Sequence, residues 1–416
     1  MVSLAQMNEK ALLVSRSSAV ALAAVLPFST ALTNACLVVC LLGWLLSGRV
    51  KADCARLIRH PMTWAVLAFL AFLAISVLWA QVPWKTSLAE ISKYRKLLFL
   101  LLFTAIFWQE EVWKERMLTV LFASLFVLSV LCFGVALGVP GLPAMDPWQG
   151  AIVLKNHIAQ GILLSLLIVL GCRWAYYGDR VWKRIWGGAG VVTALISVFY
   201  LANGRTGYVC AAVALVLSVF YMMKSWKLKG AMVLAAVVVV VAVGLTSDRI
   251  QKRFEMVGED VTQFEQGNSD TSSGLRLSFW QQSFEMVKKS PVWGIGAGAW
   301  RHEYRLGVGE PETKDNIKET GNPHNEYLNV VSQTGVIGFL FFAWFLWQAF
   351  RAGLKLEADD RCLLMGFGGM FLVGCLFNSL IFNFTEGNAF VLMLGVLLAN
   401  VVMVEKTQSQ SLKKIQ

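Results

Sequence analysis

Long apolar runs alternate with short polar breaks along almost the whole chain. Each run is about 17–25 residues, the length a helix needs to cross a bilayer core of roughly 30 Å. The pattern predicts twelve spans, near 17–33, 34–47, 61–79, 95–108, 116–138, 157–173, 185–201, 206–223, 230–246, 327–350, 362–382 and 388–404. The runs are continuous and do not alternate in ten-residue strands, so a β-barrel is excluded. Ser17–Ser47 is a single uncharged run of 31 residues. As one helix it would be about 46 Å long, too long for one span and short for two. Pro27 and Asn34 favour a break near its middle. The first run leads directly into more membrane and reads as a retained span, not as a cleaved leader.

One polar segment, Ser247–Glu326, interrupts the pattern. A connector of that length is usually functional or disordered. Leu277, Trp280, Phe284 and Val287 recur at helical spacing and predict an amphipathic helix from Gly274 to Lys289, ended by Pro291. Arg276 lies one turn before Trp280 and falls on the apolar face, where it either snorkels or faces a site. Gly294, Gly296 and Gly298 read as tightly turned backbone. Gly309–Gly321 is acidic and polar and reads as a mobile surface stretch. The resulting division is 1–246 membrane region, 247–326 loop domain, 327–404 second membrane region and 405–416 tail.

Composition agrees with this reading. The chain is 57% hydrophobic and 15% charged, with mean hydropathy +0.60. A soluble domain carries roughly a quarter charged residues. The net charge of +11 is uneven: with twelve spans, the side holding both termini carries 21 basic residues and the short segments opposite carry 6. The positive-inside rule places the termini in the cytoplasm and the long segment outside. Topology therefore accounts for the basic pI of 9.3, and no nucleic-acid partner is expected. The 8 cysteines fall in predicted spans or near cytoplasmic ends and define neither a disulfide framework nor a zinc site.

Candidate chemistry gathers on the outer side. Asn203–Gly207 is a tight turn carrying Arg205, which either anchors to lipid phosphate or clamps an anionic substrate bidentately. Lys93-Tyr94-Arg95-Lys96 opens the fourth span as a second basic cluster. Lys155-Asn156-His157 opens the sixth. Asn322-Pro323-His324-Asn325-Glu326-Tyr327 precedes the tenth. There Asn322 suits an N-cap and Pro323 the first helical position, which puts His324 in the first turn. The electropositive helix start disfavours imidazolium, and a neutral histidine can serve as general base. Glu326 or Glu319 is placed to orient its other nitrogen. No external Asp-x-Asp pair occurs, and His302-Glu303 has no partner histidine, so no metal and no cofactor is expected. Few charges lie within the spans, which argues against a flippase or proton-coupled transporter.

The stretches R-L-x-x-W at Arg276–Trp280, G-I-G-A-G at Gly294–Gly298, and P-H-N-E-Y continuing to G-x-I-G-F resemble the O-antigen ligase family, of the WaaL type. Its superfamily includes O-antigen polymerases and bacterial protein O-oligosaccharyltransferases. The resemblance implies an all-α, GT-C-like polytopic fold in the bacterial inner membrane with a large, partly helical periplasmic loop. It implies en bloc transfer of a glycan from undecaprenyl diphosphate to a sugar hydroxyl of lipid A–core on the periplasmic face. Catalytic roles would fall to His324, Arg205 and Arg276. Lys93, Arg95, Lys155, His157, Arg301, Asn325 and Tyr327 are the candidate substrate contacts, with lipid-headgroup contact the alternative role for the Lys93–Lys96 cluster and helix capping for Lys155–His157. Membrane lipids would be the other partners.

Overall fold

The structure is a computed structural model that describes residues 4–146, 148–153, 156–267, 271–308 and 321–402. It is helical throughout, and no strand occurs among the described residues. The first membrane region comprises α1 (Leu4–Val25), α2 (Thr30–Leu46), α3 (Val50–Leu57), α4 (Pro61–Ile75), α5 (Trp84–Tyr94), α6 (Lys96–Ile106), α7 (Glu111–Ala136), α8 (His157–Tyr177), α9 (Val181–Ile196), α10 (Arg205–Met222) and α11 (Trp226–Thr246). The loop segment holds α12 (Asp248–Glu265), α13 (Ser272–Lys289) and α14 (Trp300–Val308). The chain closes with α15 (Glu326–Gly353), α16 (Ala358–Gly374) and α17 (Phe384–Val402). The expected mobile stretch lies largely in 309–320, outside the described residues, as do Glu319 and the 405–416 tail.

Among the described residues, eight helices are long and apolar enough to cross a membrane: α4 with its 3₁₀ extension to Trp79, α7, α8, α9 with its π-turn to Leu201, α10, α11, α15 and α17. The other four expected spans correspond to α1, α2, α6 and α16. The long uncharged run does break, at Leu26–Ser29 around Pro27, and Ser29 caps α2 through the Leu32 amide. The two halves fold back as a hairpin in which Ser15 and Ser18 donate to the Cys40 and Cys36 carbonyls, at 2.7 and 3.0 Å. The expected span 362–382 is cut short: α16 ends at Gly374 and 375–383 is non-helical.

In the apolar stretches of α8 and α17, 89% of residues are buried, against 6% in α11. Helices apolar on every side belong in a bundle's centre, or against lipid when unpartnered. Around α8 pack α9, α10 and α16, while α17 lies on α6. The α8–α10 crossing is tight at Gly161 and Gly207, where a Cβ on Gly161 would sit 2.9 Å from the Gly207 Cα. Small residues permit such approach and hold the start of α10 against the start of α8. At the far ends, Arg173 on α8 forks onto Glu115 of α7 and reaches Asp359 of α16 at 2.7 Å. Lys114 pairs with Asp360 at 2.7 Å, both side chains about a tenth exposed or less.

One helix is not continuous. Gly335 inside α15 has φ 63° and ψ −170°, which divides the helix. Such a break frees carbonyls and amides that cannot stay bare in an apolar interior. The loop after α13 supplies their partners: Ile295 and Gly296 donate to the Ser332 and Gln333 carbonyls, both at 2.9 Å, and Val336 donates to the Pro291 carbonyl at 2.9 Å. Gly294 and Gly335 meet backbone to backbone at a left-handed φ, and a methyl on either would collide with the facing backbone. The G-I-G-A-G stretch is thus the plug for a broken helix.

Candidate active site

Four segments converge on the loop side of the bundle: the start of α10, the first two turns of α13, residues 322–325 and the non-helical 375–383. Helix α13 forms where the 3.6-residue pattern places it, with Thr271 capping the Gly274 amide at 3.0 Å. Its Trp280 indole donates to the Pro323 carbonyl at 3.1 Å. Its Phe279 ring lies nearly parallel to the His324 ring, with centroids 6.1 Å apart. Phe279 and Trp280 therefore grip the histidine-bearing turn, whereas Phe284, expected on the apolar face, is exposed and the Phe279–Ser283–Met286 side is the buried one.

The expected capping scheme is displaced by three residues. Asn325, not Asn322, is the N-cap of α15, accepting from the Leu328 amide at 3.0 Å. His324 stands outside the helix with φ 50°. A left-handed conformation is uncommon for a non-glycine residue and is worth about 1–3 kcal/mol of strain. Asn322 supports it: its side-chain oxygen accepts from the His324 amide at 3.0 Å and from the Ser379 hydroxyl at 2.9 Å.

His324 Nδ1 lies 3.3 Å from Asn378 Oδ1. The Asn378 amide nitrogen donates to Thr206 Oγ1 at 2.7 Å, next to Arg205. With its oxygen towards the ring, Asn378 accepts, so Nδ1 carries the proton and Nε2 keeps the lone pair. Burial, and next the Arg276 charge, hold the imidazole down at about 4, with the Asn378 bond opposing them. Glu326 is not the orienting group. It is fully buried, accepting from Tyr94 at 2.8 Å and from the Ile381 and Phe382 amides at 2.8 and 3.1 Å. It thereby pins the segment that carries Asn378.

Arg205 donates to the Ser273 and Ser272 hydroxyls at 2.6 and 3.1 Å. Ser273 in turn donates to Asp260 at 2.6 Å. Arg276 is pushed down to about 10, by burial first and by Arg205 second. At neutral pH it remains a cation. No carboxylate among the described residues pairs with it. Both guanidinium groups line a cavity of about 340 Å³ whose remaining wall is largely apolar, including Val209, Val257, Val261 and Leu277. Like charges held together in an apolar pocket are stabilised by an anion. Among the described residues, no three His, Cys, Asp or Glu side chains cluster as metal ligands.

The other expected contacts fall elsewhere. His157 opens α8 beside Gly204, with Nδ1 3.0 Å from Gln149 Oε1, while Asn156 caps the helix. Lys155 lies outside the described residues. Asn325 and Tyr327 clamp α15 to the end of α16, donating to the Leu376 and Leu372 carbonyls at 3.0 and 2.8 Å. Arg301 is exposed on α14. Lys93 and Arg95 line a second cavity. Thr206, Asp260, Ser272, Ser273 and Asn378 were not anticipated. The signal available for Asn378 was the polar pair Asn378-Ser379 within an apolar run.

Residues 189–343 match a family model described as O-antigen ligase. That stretch contains Arg205, Arg276 and His324, and it supports the O-antigen ligase superfamily, whose members are ligase- or polymerase-type glycosyltransferases. The chain is also similar to an uncharacterized protein of Haemophilus influenzae, 23% identical over 162 residues. The aligned part is 38% of this chain and 40% of that protein, so the similarity spans two-fifths of the relative's length.

Proposed function

We infer that this protein transfers a glycan from a polyprenyl diphosphate to a sugar hydroxyl. The observation that carries the reading is His324, oriented by Asn378, whose amide bonds Thr206 in the wall of an apolar cavity lined by Arg205 and Arg276. The acceptor hydroxyl attacks the anomeric carbon and gives its proton to His324 Nε2. The bond from that carbon to the diphosphate oxygen breaks, and the diphosphate leaves with the electron pair. Arg205 and Arg276 stabilise the charge that grows on it, an electrostatic contribution that suits an apolar site. Direct attack inverts the anomeric centre. The apolar wall suits the first isoprene units of the carrier. No step in this scheme calls for a metal.

Within this reading the chain is a twelve-span inner-membrane protein, with cytoplasmic termini and residues 247–326 in the periplasm. The donor is undecaprenyl-diphosphate-linked O-antigen and the acceptor is lipid A–core. The same site chemistry would serve a polymerase, which uses a second lipid-linked glycan as acceptor, or an O-oligosaccharyltransferase, which uses a protein hydroxyl. One assay separates them: purified protein in proteoliposomes with lipid-linked glycan and lipid A–core. A single transferred block on the core supports ligation. A ladder on the carrier lipid identifies a polymerase, transfer only to an added Ser/Thr-containing acceptor protein identifies an O-oligosaccharyltransferase, and no product with any of the three acceptors removes the reading.

A further inference from the structure

A second cationic cavity, of about 310 Å³, opens beside α2, α6 and α17. Lys93, Arg95 and Lys96 line it, with the amides of Asn34 and Asn388, and no carboxylate is among its lining residues. The three cations are not equivalent. Lys96 is buried and donates to the Phe382 carbonyl at 3.1 Å, so it fixes backbone. Lys93 reaches Glu90 at only 3.4 Å and sits 3.9 Å over the Phe382 ring. Arg95 is exposed and bonded to the Ser92 carbonyl at 3.1 Å. Lys93 and Arg95 thus keep donors for an incoming anion.

Asn388 adds an independent sign of a ligand. It is 2% exposed, and its Nδ2 donates to the Phe384 carbonyl at 2.8 Å, yet its Oδ1 has no partner. A buried acceptor left unpaired costs about 1–3 kcal/mol. A ligand that suits this lining carries an anionic group for the cations and a hydroxyl donor for the amide. A phosphorylated sugar carries both.

The position of the cavity gives it a role. The 375–383 segment runs between the two cavities: Phe377 and Asn378 stand at the arginine site, Phe382 and Asn383 at the lysine site. Phe382 lies five positions after Phe377, which bounds their separation at roughly 18 Å. His324 is tethered to the same segment. Resting on the transferase reading above, we propose that the Lys93–Arg95–Asn388 cavity binds the phosphorylated sugar headgroup of the acceptor lipid. Donor diphosphate and acceptor phosphate then occupy separate cation sets on either side of the base.

Binding is measured on the full-length protein in detergent with four probes: bis-phosphorylated lipid A, its dephosphorylated form, phosphatidylglycerol and undecaprenyl diphosphate. The wild type should prefer the bis-phosphorylated lipid A over the dephosphorylated form. Lys93→Ala/Arg95→Ala should bind it about tenfold more weakly, with undecaprenyl diphosphate binding unchanged. The acceptor KM should rise by a similar factor with kcat nearly constant. Asn388→Asp, which puts a carboxylate against the phosphate, should weaken binding in a chain whose cations are intact, and it serves if the double variant does not fold. Unchanged lipid A binding by the folded variants overturns the proposal. So does an equal loss for phosphatidylglycerol, which would mean general membrane contact. If lipid A binds here but no glycan is transferred, the transferase reading fails alone. If transfer proceeds with acceptor binding unaltered in the variants, this proposal fails alone.

Discussion

His324 carries the heaviest demands of any single side chain. It sits at a left-handed φ, it is packed on Phe279, and it faces a positive guanidinium. Its ring is held down at about 4, below the 6.5 of a free histidine. Because the folded value is the lower one, the histidine opposes folding as pH falls from about 6.5 to about 4, when the unfolded chain takes up the proton first. The acid limb of kcat/KM, which reports the free enzyme, should accordingly lie nearer 4 than 6.5. Arg276→Gln should move that limb upward by removing the second cause of the shift. A limb at 6.5 would separate the titrating base from His324. His324→Ala should cost about 10²–10⁴ in turnover while the protein still inserts and unfolds normally. Arg205→Lys and Arg276→Lys should each impair transfer despite keeping the charge, because lysine cannot fork onto a diphosphate; full activity in both would return these arginines to lipid anchoring. The residue types were legible in sequence, since a polar N-P-H-N-E-Y before a span and arginines at the membrane edge are out of place as filler. The partner of the histidine was not. Glu326 is close in sequence, but it points into the Tyr94 pocket, and Asn378 arrives from a turn 54 residues later.

At the scale of elements, the extent of α13 and its stop before Pro291 could be read directly, but its buried face could not: Phe279, Ser283 and Met286 are buried, while Phe284, expected on the apolar face, is 54% exposed. The break in α15 could not, because Gly335, between Ser332-Gln333-Thr334 and the apolar stretch that begins at Val336, is compatible with a continuous span. Only the loop docked against it shows why glycines are needed on both segments. The arrangement predicts that Gly335→Ala destabilises the protein by about 1–3 kcal/mol through φ alone, with the collision against Val292 adding to it. Thermal unfolding in detergent would read the loss, and a variant as stable as wild type would show that the break tolerates an ordinary helix. The turn at 375–383 was hidden for a similar reason: Leu380, Ile381 and Phe382 continue the hydropathy of α16 while their backbone leaves it. At the opposite ends of the helices, Lys114 and Asp360 form a buried pair that ties α7 to α16. Removing one partner leaves the other charge stranded, so Lys114→Ala should cost about 3–5 kcal/mol, more than the double change Lys114→Met/Asp360→Leu.

For the whole molecule, the site reading requires that one side of the bundle face the lipid-linked glycan. Arg205, Arg276, His324 and the Lys93–Arg95 cavity all lie with the 247–326 segment, while the Arg173 and Lys114 ion pairs lie at the other helix ends. On the proposed twelve-span topology, 21 basic residues lie on the side of the termini against 6 in the short segments opposite, which would orient the ion-pair end to the cytoplasm. Native Cys54, exposed between α2 and α4, reports on that end, whereas six of the other seven cysteines are buried. A cysteine at Lys288, exposed on α13, reports on the opposite end. In intact spheroplasts an impermeant thiol reagent should label Lys288→Cys and leave Cys54 untouched until the membrane is permeabilised. Because α1 and α2 fold back on each other, the N-terminus should lie on the same side as Cys54; a single tilted span over 17–47 would place it opposite. A tag at residue 1 that is cut by external protease would remove one span and leave the catalytic face where it is. The reverse labelling, with Cys54 reactive and Lys288→Cys protected, would turn His324 and both arginines towards the cytoplasm and end the periplasmic transferase reading.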